Sequence, residues 1–190
     1  VKKTLQTEAP IRHLSMQGEQ RRAIAYVEDV QSNYLDVTPE YQRPPTWSID
    51  QRRLLVKSWL MGLPVPAVII NVRRDWPGIT VNDPWTALVD GKQRVETALA
   101  WFEGDLAVPA SWFEPGDVEQ TEETEDGSYV RFAGLALRAQ RLVQNRAMLP
   151  TIEVRVGSVE EEAEMFLLVN TGGTAQSEED LDRARQVAAR

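Results

Sequence analysis

Two short apolar runs constrain this chain more than any other feature. Ala67-Val68-Ile69-Ile70-Asn71-Val72 and Trp85-Thr86-Ala87-Leu88-Val89 are almost wholly apolar and show no polar alternation. A strand reads this way when both of its faces are covered, so each run predicts a strand inside a sheet. The second run passes directly into Asp90-Gly91-Lys92-Gln93-Arg94, where a single glycine stands between strand and helix. Beyond it, Val95, Ala98, Leu99 and Phe102 share one side of a helix closing near Gly104.

Helical patterns surround these strands. Ile24, Val27 and Val30 recur at helical spacing between Glu19 and about Gln31. The segment Thr38-Pro39-Glu40-Tyr41-Gln42-Arg43-Pro44-Pro45-Thr46-Trp47 cannot be helical, because each proline biases its predecessor towards extended backbone. Ser48 and Gln51 then form a capping box for a helix lined by Leu54, Leu55, Trp59 and Leu60, which Gly62 and Leu63-Pro64-Val65-Pro66 terminate. A further helix is predicted over about 133–146, and a strand with one wet face over 151–156. Ser158 and Glu161 cap a helix that turns Met165, Phe166 and Val169 to the core and ends at Asn170-Thr171-Gly172-Gly173. A last helix runs from Ser177 to about Ala189, its first turn carrying Glu178, Glu179 and Asp180. The expected fold is α+β, a small mixed β-sheet surrounded by helices. It forms one domain over 19–190 behind an N-terminal arm, 1–18. Residues 114–127 hold seven acids and almost no aliphatic residue, and read as an exposed loop.

Composition removes several classes of function. With 190 residues, 42% of them hydrophobic, the chain has material for one substantial core. The absence of cysteine rules out a disulfide scaffold, a thiolate zinc site and a cysteine nucleophile. His13 is the only histidine, so the chain holds no histidine-based nuclease centre. No apolar stretch approaches the roughly 18–20 residues of a membrane span, and no signal-peptide core follows Val1, so a cytoplasmic protein without a membrane partner is expected. The net charge of −8 argues against binding nucleic acid over the whole surface. Up to residue 60, however, nine Lys/Arg face seven Asp/Glu, which leaves room for a local basic face.

Asp90-Gly91-Lys92-Gln93-Arg94 is the strongest chemical signal. A helix N-terminus presents unpaired N–H groups and partial positive charge, a site for an anion. Gly91 clears space for close approach, Lys92 and Arg94 add charged donors, and Gln93 adds an amide. Asp90 has the oxygen chemistry to hold a cation such as magnesium carried by phosphates. The competing reading makes Asp90 a helix cap and the rest a solvated first turn. Gln42 and Arg43 on the rigid Tyr41-to-Trp47 segment suit phosphate or base recognition. Alternatively Tyr41 and Trp47 plug the core and Arg43 pairs with a surface acid. Asn170 and Gly172, at a helix end, read either as a ligand approach or as a C-cap. No Walker-type loop is present, since Gly91-Lys92 continues into Gln93. The clusters Glu122-Glu123 and Glu160-Glu161-Glu162 read as solvated faces.

Tyr41-Gln42-Arg43-Pro44 with Trp47, Leu63-Pro64-Val65-Pro66, Asp90-Gly91-Lys92-Gln93-Arg94, and Phe166 to Asn170 followed by Thr171-Gly172-Gly173 stand in one order. In that order and spacing the chain resembles the DUF262 family, the N-terminal domain of GmrSD-type modification-dependent restriction systems, related to the ParB/sulfiredoxin-like fold. The resemblance spans about residues 20–185. It implies a nucleotide-binding, often nucleotide-hydrolysing, domain of a DNA-directed defence system such as restriction of phage. Carried over, Asp90, Gly91, Gln93 and Arg94 contact the phosphates, Gln42 and Arg43 approach from a facing loop, and Asn170 closes the site through a metal shared with Asp90. Asp90 and Arg94 then take the catalytic roles, with Mg2+ as cofactor and a nucleoside triphosphate as partner. DNA and a separate nuclease subunit follow as further partners. The family has Asp-Gly-Gln-Gln-Arg where this chain has Lys92 at the third position. That change keeps a donor and bears on hydrolysis, so a non-hydrolysing nucleotide- or DNA-phosphate-binding regulatory module is the alternative. A stand-alone ParB-like DNA nuclease is the third.

Overall fold

The computed structural model describes residues 13–42, 46–171 and 178–188. In chain order the elements are β1 (Gln17–Arg22), α1 (Ala23–Gln31), β2 (Leu35–Asp36), α2 (Ile49–Met61), β3 (Val68–Val72), β4 (Thr86–Asp90) and α3 (Lys92–Phe102). There follow β5 (Ala107–Pro109), β6 (Glu122–Thr124), β7 (Gly127–Arg131), α4 (Leu137–Arg146), β8 (Met148–Val154), α5 (Val159–Thr171) and α6 (Glu178–Ala188). Five strands form a mixed sheet in the order β1-β8-β3-β4-β2, and three form a small antiparallel sheet, β5-β7-β6. In the larger sheet β8 and β3 run parallel, β3 and β4 antiparallel, and β4 and β2 parallel. The fold is the expected mixed sheet with helices around it.

The all-apolar strands are explained by two cores. On one face Val68, Ile70 and Leu88 pack in the larger cluster with Tyr26 and Val27 of α1, Leu55, Val56 and Trp59 of α2, and Val95, Ala98 and Trp101 of α3. In the other cluster Val89, with Ile69 beside it, meets Tyr41, Ala163 and Phe166 of α5, and Ala184 and Val187 of α6. Successive residues of a strand point to opposite faces. Leu88 and Val89 therefore both have to be apolar.

The capping box of α2 forms as read. Ser48 Oγ accepts from the Gln51 amide at 3.3 Å, and Gln51 Oε1 accepts from the Ser48 amide at 2.9 Å. Gly62 closes the helix in the left-handed conformation at φ 70°. Its buried face is Leu55, Val56 and Trp59, and Leu54 is 59% exposed. Val169 of α5 is likewise 41% exposed, whereas Trp101, outside the expected core, is fully buried.

The structure differs from the expectation in three places. The helix expected from Glu19 begins only at Ala23, because Gln17–Arg22 is taken as an edge strand antiparallel to β8. This strand begins inside the expected arm, and Ala23 starts its helix by donating its backbone N–H to Ala147 O at 2.7 Å. The strand read at 151–156 is Met148–Val154. The acidic segment, expected as a loop, folds into a 3-10 turn and the hairpin of β6 and β7. Its acids serve local hydrogen bonds: Glu122 pairs with Arg131, Glu123 accepts from Ser128 at 2.7 Å, and Asp126 accepts from Tyr129 at 2.7 Å. No helix among the described residues is long and apolar enough to cross a membrane.

Candidate functional site

β4 delivers Asp90 to the tip of α3, and Gly91 makes the turn. Its φ of 101° lies in the left-handed range, which favours glycine. A Cβ there would sit 2.9 Å from Val68 Cγ2 and 3.2 Å from Val68 Cα. The space that a side chain would need is thus occupied by the start of β3, and the glycine is demanded by the fold itself. No side chain caps α3. The amides of Arg94 and Val95 share Gly91 O, at 2.9 and 3.1 Å.

The carboxylate of Asp90 does not cap the helix. It pairs with Arg94, Nη2 to Oδ2 at 2.8 Å, and the same Nη2 donates to Ala67 O at 2.9 Å. Asp90 keeps 27% of its side chain exposed and Arg94 keeps 14%, and Arg94 Nε is buried without a partner. The guanidinium is therefore folded along the strand-to-helix turn and already bonded to Asp90. Lys92 is 8% exposed, so the first turn is not the solvated one of the competing reading.

Gln93 and the Pro-rich segment meet here. Gln93 is 9% exposed, and its Oε1 accepts from the amides of Thr46 at 3.2 Å and Trp47 at 3.1 Å. Its Nε2 is buried and unpartnered. On the other flank, Gln42 Nε2 donates to Val89 O at 2.8 Å and Leu88 O at 3.1 Å. Two motifs separated by nearly fifty residues are thereby tied to one point of the sheet edge. Arg43 lies outside the described residues.

Asn170 stands on α5, the helix that packs on β4, and donates through Nδ2 to Phe166 O at 2.8 Å. Gly172 lies outside the described residues. Among the described residues no group of three His, Cys, Asp or Glu forms a metal cage. A Mg2+ ion at Asp90 would therefore have no protein cage of three such ligands among the described residues, and would need phosphate oxygens to complete its shell.

One residue of the site region was read as a solvated face and is the reverse. Glu162 is 0% exposed. It accepts from Arg73 Nε at 2.8 Å and Nη2 at 2.5 Å, from Asn71 Nδ2 at 2.7 Å and from the Tyr41 hydroxyl at 3.1 Å. Arg73 also pairs with Asp36 at 3.1 Å and lies 5.1 Å from the centre of the Trp76 ring. Burial, reinforced by the Glu162 charge, holds the Tyr41 phenol far above its ordinary pKa. Burial works to lower the pKa of Arg73, but the hydrogen bonds and charge of Glu162 outweigh it and raise it. The network clamps α5 to β3 and, through Tyr41, fixes the residue next to Gln42. Its signal in the sequence is the helical spacing of Glu162, Phe166 and Asn170, which puts the acid on the core stripe.

Glu96, half-buried, follows Gln93 by one turn on α3. Burial raises its carboxyl pKa, and Lys92 and Arg52 counteract part of that rise. Its Oε2 is buried and unpartnered.

No curated protein matches the chain. The family profile described as the GmrSD restriction endonuclease N-terminal domain matches residues 26–185, and the chain belongs to that family.

Proposed function

We propose that the chain is the nucleotide-binding module of a DNA-directed restriction-type system, taking a nucleoside triphosphate with its phosphates at the tip of α3. The observation that carries this reading is the meeting of the motifs around Gln93. Its side chain is nine-tenths buried, holds the 46–47 backbone with its oxygen, and has an amide nitrogen with no partner. A buried donor without an acceptor is costly, and a phosphate oxygen is one group that would satisfy it. The absence of a side-chain cap on α3 leaves the helix N-terminus to an outside anion.

In this reading Asp90 holds Mg2+ together with phosphate oxygens, and the ion supplies charge neutralisation on the phosphates when bound. Arg94, oriented by its bond to Asp90, adds positive charge at the same place. Gln93 and the helix tip position the phosphates. The family setting makes DNA and a separate nuclease subunit the expected partners.

Titration calorimetry with each of the four ribonucleoside triphosphates and Mg2+ tests binding. Saturable binding of at least one, weakened in Gln93→Ala, is the expected result, and a folded chain that binds none of them defeats the proposal. Release of inorganic phosphate, lost in Asp90→Asn, is expected for hydrolysis. Binding without turnover is the second reading, favoured by Lys92 in place of the family's glutamine and by the closed Asp90–Arg94 pair. Nucleotide binding with no phosphate release, in the presence and absence of DNA, would select it.

A further inference from the structure

Gln93, Glu96 and Ala100 stand at i, i+3 and i+7 on α3 and therefore share one face of the helix. Each presents something different. Gln93 carries a buried amide donor without a partner, and Glu96 a buried carboxylate oxygen without a partner. Ala100 lines a cavity of about 280 Å³ with Trp47, Ile49, Arg52, Asp105 and Leu106. Ile49 is 52% exposed and serves neither core, which marks this wall as apolar surface left open to solvent.

The order along the face is donor, acceptor, apolar cavity with an aromatic wall. A nucleotide presents the complementary order: phosphate oxygens, ribose hydroxyls, flat base. The spacing agrees as well, since Ala100 lies about 12 Å beyond the start of α3 at a rise of 1.5 Å per residue. That is the scale of an extended triphosphate and ribose. The cavity is smaller than those that enclose whole drug-sized ligands, so it suits one end of a nucleotide.

We infer that the groove between α2 and α3 is the nucleoside subsite of the phosphate site proposed above. Trp47 and Ala100 form the walls for the base, Arg52 and Asp105 stand at its edge as donor and acceptor, and Glu96 Oε2 accepts from the ribose. The inference rests on the nucleotide reading and adds to it where the nucleoside lies. Trp47 links the two ends: its backbone amide is bonded to Gln93, and its side chain lines the cavity.

The test compares nucleoside triphosphates with tripolyphosphate, which has no nucleoside, on the whole chain with Mg2+. The subsite predicts that the nucleotides bind more tightly than tripolyphosphate, by about ten- to a hundredfold if one base stacks. Ala100→Leu, which fills the cavity, is expected to remove that advantage and leave tripolyphosphate binding unchanged. Asp105→Ala, at an exposed position, is the second variant and is expected to weaken nucleotide binding alone. Equal affinity for nucleotide and tripolyphosphate, or equal loss of both in Ala100→Leu with an unchanged melting temperature, overturns the subsite while leaving the phosphate site standing. Failure of both ligands to bind overturns the phosphate reading and the subsite with it. A single-stranded oligonucleotide whose binding alone is lost in Ala100→Leu would assign the groove to nucleic acid instead and also overturns the proposal.

Discussion

Replacing Gly91 by alanine separates two reasons for a glycine at the tip of α3. At φ 101° an alanine is held outside the conformations open to L-residues, which costs about 1–2 kcal/mol. Its Cβ would also lie 2.9 Å from a Val68 methyl and 3.2 Å from Val68 Cα, and the latter is backbone that cannot rotate away. Overpacking of this kind costs about 1–3 kcal/mol more. The sum, about 2–5 kcal/mol, is a large part of the stability of a domain. For a chain of this length it lowers Tm by about 5–15 °C, read by differential scanning calorimetry. Trimming Val68 to alanine in the same chain removes the closer contact but keeps the backbone strain, so the double variant recovers part of the extra loss, about 1 kcal/mol of coupling. A Gly91→Ala chain that melts within a degree of the parent and loses only phosphate affinity would refute the reasoning. It would return this glycine to the role of clearing space for an anion.

Removing the Glu162 carboxylate leaves Arg73 as a buried cation with only the partly exposed Asp36 for a partner. Glu162→Ala is expected to cost about 3–5 kcal/mol in urea unfolding. Tyr41→Phe, which deletes one of several donors to the same carboxylate, is expected to cost about 1–2 kcal/mol; equal costs for the two would contradict a charge-centred network. Glu96 gives a prediction in pH. Its folded pKa lies above the unfolded value through burial, so the native state binds the extra proton between the two, and stability falls as pH rises through that window. Glu96→Gln removes this term, and the difference in Tm between variant and parent is expected to grow in the variant's favour from pH 4 upward. A difference independent of pH would show that burial does not control this carboxyl.

The parts of the site that were legible in the sequence are the parts made by neighbours in the chain. A strand, one glycine and a helix in direct succession can be read from Val89 to Arg94. The capping box of Ser48 and Gln51 is equally local. What escaped depends on residues far apart. Val68 comes close to Gly91 only because β3 and β4 are paired, so the sequence could suggest room for an anion at this glycine but not the packing that also requires it. Glu162 sits in a run of three glutamates whose composition argues for water, and only the meeting of Tyr41, Asn71 and Arg73 from other elements makes it a core residue. The second sheet was missed because its strands are only three to five residues long and carry Pro109, Glu122, Glu123 and Gly127, so none of them is long enough to show a period.

The first strand has one further consequence. Gln17–Arg22 has no apolar side chain and is mostly exposed, so it adds little to either core, yet it pairs with Met148 to Glu153 along the open side of β8. It acts as a hydrophilic selvedge: without it, the backbone of Met148–Val154 would offer its unpaired amides and carbonyls to any passing chain. Cutting before Ala23 would spare most of the apolar packing and still leave a protein prone to join its neighbours edge to edge.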